Sequence, residues 1–144
     1  MPPAEAPASS RPGDSGPDAS FALRLPRGPA AAGDARHVIR RRLGEQLSTD
    51  ALDDVLVVVS ELVANGVRHG RGDVTLELAF DGPRVTGFVA DEGAGFAAPA
   101  PRSGDRPGGG GYGLELVARL ADSWGLHDGS SLVWFEILAE PAPR

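Results

Sequence analysis

The chain has 144 residues, enough for one domain with a real core and too few for two of ordinary size. A formal net charge of −6 argues against a general nucleic-acid binder, and the absence of cysteine excludes a disulfide framework, a thiol nucleophile and a cysteine-based zinc site. All fourteen basic residues are arginine, which excludes a lysine-dependent phosphate loop, and the three scattered histidines have no metal-ligand spacing.

Residues 1–19 are rich in Pro, Ala, Ser and Gly, cannot bury enough surface to offset their ordering entropy, and are expected to form a disordered tail. They lack a charged-then-apolar signal pattern, and no apolar run reaches the ~20 residues of a membrane span, so a soluble cytoplasmic protein is expected. From Ser20, the apolar residues Phe21, Leu23 and Leu25 alternate with Ala22 and Arg24 as a first strand, stopped by Pro26. Residues 29–47 read as a helix with Val38, Ile39 and Leu43 inward and Arg36, Arg40, Arg41 and Arg42 largely outward.

Residues 50–70 form the most informative stretch. On a 3.6-residue period its apolar residues Leu52, Val55, Leu56, Val59, Leu62, Val63 and Val67 cover more than half the circumference, which describes a mostly buried helix capped by Ser48 or Thr49. Glu61 and Asn65 are set into that wall four residues apart, on one face, with His69 a turn further on. A buried charge is answered by a cation, a hydrogen-bonded ligand or a catalytic proton, whereas a solvated stripe needs none of these. Both readings stand on this helix alone.

After Gly70 the period changes to two. Val74, Leu76, Leu78 and Phe80 make one strand, Asp81-Gly82 reads as a hairpin turn, and residues 85–91 return antiparallel. Residues 92–111 are rich in Gly and Pro and long for a compact domain, which suits a mobile active-site lid or a plain loop. A helix over 112–121, a short strand through Trp124 and Leu126, and a last strand over 132–138, buried on both faces, complete the domain over 20–139; 140–144 form a fraying tail.

Glycines flank the lid. Asp91-Glu92-Gly93-Ala94-Gly95 follows a strand and joins a carboxylate acceptor to a backbone that a ligand can approach closely. Gly108-Gly109-Gly110-Gly111-Tyr112-Gly113-Leu114 runs into a helix N-terminus, where free N–H groups suit phosphate. Glu-x-x-x-Asn on a helix, Asp-x-Gly-x-Gly after a strand and Gly-x-Gly-Leu before a helix, in that order, resemble the ATP-binding fold shared by gyrase, heat-shock chaperones, sensor histidine kinases and mismatch-repair ATPases (GHKL). More closely, Glu61-Leu62-Val63-Ala64-Asn65-Gly66-Val67-Arg68-His69-Gly70 and Ser131-Leu132-Val133-Trp134-Phe135-Glu136 are similar to the small bacterial anti-sigma factor serine-protein kinases.

The resemblance implies an α+β, two-layer α/β sandwich of the Bergerat type, with a mixed, mainly antiparallel sheet and helices on one face. It implies ATP and Mg²⁺ as cofactors, Asn65 as the Mg²⁺ ligand, Glu61 as the general base and Asp91 as the acceptor of the adenine amine. Gly93 and Gly95 would clear room for the base, and Gly111 and Gly113, with Leu114, would hold the phosphates. The implied partner is a sigma factor, an anti-sigma antagonist or both, with no direct nucleic acid and no membrane. A homodimer is left open, as are a partner-binding module without transfer and a simple ATPase. Arg102 and Arg106 are the lid's candidates for the γ-phosphate. Leu132 stands where members often carry a Thr that steadies the aspartate, with Ser130 or Ser131 as partial substitutes, and Gly66 replaces the usual Ala at a cost of ~1 kcal/mol.

Overall fold

The computed structural model describes residues 20–93, 114–127 and 131–139. In chain order these form β1 (Ser20–Leu25), α1 (Ala31–Leu43), α2 (Thr49–His69), β2 (Val74–Asp81), β3 (Arg84–Ala90), α3 (Leu114–Leu120), β4 (Ser123–Leu126) and β5 (Val133–Leu138). The strands make one five-stranded sheet in the order β1-β2-β3-β5-β4. All four pairings are antiparallel, so the expected mixed, mainly antiparallel sheet resolves to a fully antiparallel one among the described residues. Since β3 and β4 both pair with β5, they run the same way, and α3 carries the chain between them.

Period two decides which face the helices cover. Phe21, Leu23 and Leu25 of β1, Val74, Leu76, Leu78 and Phe80 of β2, Val85 and Val89 of β3, and Val133, Phe135 and Ile137 of β5 all belong to or pack on the core that α1 and α2 share. Thus β5 is buried on one face only, contrary to the sequence expectation. Trp134 and Glu136 are half-buried and Leu138 is 58% exposed, because no helix among the described residues lies over the opposite face of the sheet. The β2–β3 turn centres on Gly82 and Pro83, one residue later than Asp81-Gly82, with Gly82 at φ +65 in the first position of a two-residue hairpin loop.

The helices begin and end for local reasons. Ser48 Oγ accepts from the Ala51 N–H at 3.1 Å and caps α2, which settles the choice between Ser48 and Thr49. α1 is shorter than the expected 29–47, because at Gly44 the α-helical ladder gives way to a turn in which Gln46 N and Leu47 N both donate to Leu43 O. Its buried seam is Ala31, Ala35, Ile39 and Leu43, and Val38 is only half-buried. Arg36, expected outward, turns inward and donates to Ser60 Oγ on α2 at 3.1 Å. Arg40, Arg41 and Arg42 are exposed, with the Arg42 guanidinium 5.0 Å from the centre of the Phe21 ring.

One charge in α2 works against the fold. Partial burial, and then the carboxylates of Asp50, Asp53 and Asp122, push the Asp54 carboxyl above its ordinary range. A raised folded-state pKa means that ionised Asp54 disfavours the folded state, and that this penalty disappears as pH falls below the unfolded value. Asp54→Asn should therefore raise the melting temperature at about pH 7, with the gain shrinking toward zero near pH 3.8, which paired thermal melts would show. An equal gain at both pH values would mean that the charge is not responsible.

Candidate functional site

The C-terminal half of α2, the end of β3, the first residue of α3 and the start of β5 surround a cleft of about 100 Å³. Leu62, Val89, Leu114 and Val133 make its apolar wall, and all four are buried. Asn65, Asp91 and Ser131 interrupt that wall with polar groups, and His69 and Arg71 also line the cleft. A mostly apolar cleft with a few convergent polar groups is the usual form of a small-molecule site.

Asn65 is 9% exposed and is the buried polar residue among those described. Its Oδ1 has no hydrogen-bond partner. An unsatisfied buried acceptor costs roughly 1–3 kcal/mol, so its retention on the wall of a cleft points to a ligand. An amide oxygen is a suitable donor for a hard cation such as Mg²⁺. Glu61 is half-buried one turn earlier and is not among the residues lining the cleft, although helical spacing puts it on the face of Asn65. His69 does line the cleft, and desolvation, with the charge of Arg68, holds its imidazole below the ordinary value. It is accordingly neutral at physiological pH.

Asp91 follows β3 directly. Its Oδ1 accepts from Gly93 N at 2.6 Å and from Arg71 N at 3.3 Å. No described residue donates to Oδ2, which lies beside Gly70, where a Cβ would overlap both that oxygen and the Gly66 carbonyl. Glycine at 70 is therefore what lets the carboxylate lie against the end of α2. Asp91 thus has one oxygen committed to the backbone and one left for a donor in the cleft.

Ser131 secures Asp91 from the other side. Its hydroxyl accepts from the Asp91 N–H and donates to the Asp91 carbonyl, both at 3.0 Å, in place of a strand pair between β3 and β5. Sequence reasoning treated Ser131 as a partial stand-in for a missing Thr; here it lines the cleft while the half-buried Leu132 accepts from His127 N at 2.9 Å through its carbonyl. Gly66, expected to soften the helix, lies against Val74, with a Cβ position 3.2 Å from Val74 Cγ2. Sequence reasoning singles out neither Arg71 nor Arg27. Arg71 lends its N–H to Asp91, and Arg27 Nη1 donates to the carbonyls of Gly70 at 2.8 Å and Gly66 at 3.4 Å.

The structure thus brings together Asn65, Asp91, Gly93 and Leu114 of the expected site. Gly95, Gly111, Gly113, Arg102, Arg106 and Ser130, the lid over 96–110 and both terminal tails lie outside the described residues. Residues 25–136 match the model of the histidine kinase-like ATPase domain family. The chain belongs to this family. No curated protein matches it. Among solved structures, this histidine kinase-like ATPase domain resembles the RsbU and RsbW domains of Rv1364c from Mycobacterium tuberculosis, with a TM-score of 0.62 and 21% identity over 85% of the chain. It spans 33% of that longer chain, and at this identity the likeness establishes the fold.

Proposed function

We propose that the chain is an ATP-binding serine/threonine-protein kinase of the anti-sigma factor type, which phosphorylates an anti-sigma antagonist, sequesters a sigma factor, or does both, in the cytoplasm. The observation that carries this reading is the pair of acceptors on one apolar cleft to which no described residue donates, the buried Asn65 Oδ1 and the Asp91 Oδ2 beside Gly70. By the family resemblance, Asp91 would accept a hydrogen bond from the adenine amine, Gly93 and Gly95 would leave room for the base, and Gly111, Gly113 and Leu114 would hold the phosphates. Asn65 would hold Mg²⁺, which supplies neutralisation of phosphate charge when bound. The resemblance of Glu61-Leu62-Val63-Ala64-Asn65 and its continuation to the anti-sigma kinases supports the branch. The exposed Arg40, Arg41 and Arg42 offer a basic face to an acidic protein partner. No helix among the described residues is long and apolar enough to cross a membrane.

In the transfer step the γ-phosphorus gains a bond to a serine oxygen of the partner and loses its bond to the oxygen of ADP, while the serine proton passes to Glu61. The position of Glu61 outside the cleft lining favours a second reading, a nucleotide-dependent binding module that sequesters its partner without transfer. Incubation with γ-labelled ATP and candidate partner domains separates the two, since label reaches a serine in the first and stays on ATP in the second. Release of label as free phosphate alone would indicate a simple ATPase. Glu61→Ala should keep MgATP binding and lower transfer by about 10²–10⁴-fold, the usual contribution of a positioned general base. Unchanged transfer in that variant would remove Glu61 from the mechanism.

A further inference from the structure

Arg27 follows β1 and stands outside the cleft, and one of its two hydrogen bonds is ordinary for a cation near a helix end. The Gly66 carbonyl at the end of α2 already accepts from Gly70 N at 2.9 Å, and Arg27 Nη1 adds a second, longer bond to it at 3.4 Å, which reinforces the helix end. The shorter bond, to Gly70 O at 2.8 Å, does more. The Gly70 carbonyl and the Arg71 N–H belong to one rigid peptide plane, and that N–H donates to Asp91 Oδ1. Fixing the oxygen fixes the hydrogen on the opposite edge. Donation into the carbonyl also polarises the peptide and strengthens its N–H as a donor.

The two donors on Asp91 Oδ1 are not equivalent. Gly93 N lies two residues away in the same turn and moves with the aspartate, so it cannot orient the carboxylate relative to α2. The Arg71 N–H comes from the α2–β2 loop and can. Neighbouring contacts hold the same loop: Glu92 N donates to Arg71 O at 2.8 Å, and Arg24 pairs with Asp73 at 3.0 Å and Glu92 at 3.4 Å. Those ion pairs are exposed and contribute little by themselves. Among the described residues, Arg27 is the side chain that acts on the peptide touching Asp91.

We propose that Arg27 is a positioning residue for base recognition, acting through the Gly70–Arg71 peptide to aim the free oxygen of Asp91 at the 6-amino group of a purine. The inference rests on the reading of Asp91 given under the proposed function. It assigns Arg27 an effect on discrimination between bases, which a helix cap would not have.

The test compares the native chain with Arg27→Met, which keeps an apolar stem and loses every donor, and with Arg27→Gln, which keeps a shorter neutral donor. Calorimetry gives the affinity of each for ATP and for purine riboside triphosphate, the same nucleotide without the 6-amino group. Native protein should prefer ATP. Arg27→Met should lose about tenfold in ATP affinity with the analogue unaffected, so that the preference collapses, and Arg27→Gln should fall between. Equal losses for both nucleotides, or a lower melting temperature with the preference intact, would show a helix cap and nothing more. Should Arg27→Met not fold, the preference measured in Arg27→Gln decides, a reduced value supporting the proposal and a native one overturning it. A native protein that binds ATP no better than the analogue removes the reading of Asp91, and this proposal with it. Native discrimination that survives in both variants overturns the proposal alone.

Discussion

Asn65→Leu should abolish magnesium-dependent nucleotide binding and make the empty protein more stable. The substitution keeps the size of the side chain and removes a buried Oδ1 that no protein group satisfies. Relief of that desolvation penalty is worth roughly 1–3 kcal/mol, enough to raise the melting temperature by several degrees in a domain of this size. The same change deletes the oxygen proposed to hold the cation, so affinity for MgATP should fall by about 100-fold or more, as expected when a charge-neutralising contact is lost. Titration of ATP with and without a chelator provides the control, because native affinity should depend on magnesium and the residual affinity of the variant should not. An asparagine kept for structural reasons gives the opposite pair of results, a lower melting temperature with binding retained.

Asp91→Asn should reverse the preferred base rather than simply weaken binding. The backbone N–H groups of Gly93 and Arg71 demand an acceptor at Oδ1, so the amide oxygen occupies that position and its NH₂ falls where Oδ2 stood. A donor then faces the adenine amine, itself a donor, and ATP should lose about 10²–10³-fold in affinity, within the range for a buried polar mismatch. A purine with an oxygen at position 6 would meet that NH₂ as an acceptor, and inosine triphosphate should now bind better than ATP. Asp91→Ala removes the acceptor and offers nothing in return, so it should lose both. Calorimetry with the two nucleotides on the three proteins would contradict the arrangement if Asp91→Asn kept the native order of preference.

Periodicity made most of the fold legible. The alternation of Val74, Leu76, Leu78 and Phe80 and the helical spacing of Val55, Leu56, Val59, Leu62 and Val63 each report which side chains leave water, and the structure buries all nine. The same reasoning failed on β5, where Trp134 and Leu138 interrupt the expected polar alternation; an uncovered sheet face can carry apolar side chains, so hydropathy alone did not show that one face was open. Arg36 was misread for a related reason, since its hydrogen bond to Ser60 depends on how closely α1 and α2 approach, which neither helix encodes alone.

The candidate site was legible where its chemistry is local. Asn65 and Asp91 could be found because an amide in an apolar helix and an aspartate between a strand and glycines are unusual residues for their surroundings. Ser131 and Arg27 could not. The role of Ser131 depends on a partner 40 residues away, and that of Arg27 on carbonyls 39 and 43 residues away. Side chains that bind distant backbone leave no periodic trace, since their partner is a peptide group and every residue has one.

The insertion of β5 between β3 and β4 also orders events during synthesis. When β3 emerges it can pair with β2 across a two-residue turn, but its other edge stays open until β5 has been made, and Asp91 has no hydroxyl to hold its backbone until Ser131 follows. Closing a loop of that length must be met before any contact rewards it, so the cleft should be among the last parts of the domain to form. A nascent chain arrested before residue 131 would carry Asn65 and Asp91 yet lack a settled nucleotide cleft, with an open strand edge exposed to chaperones or to other chains.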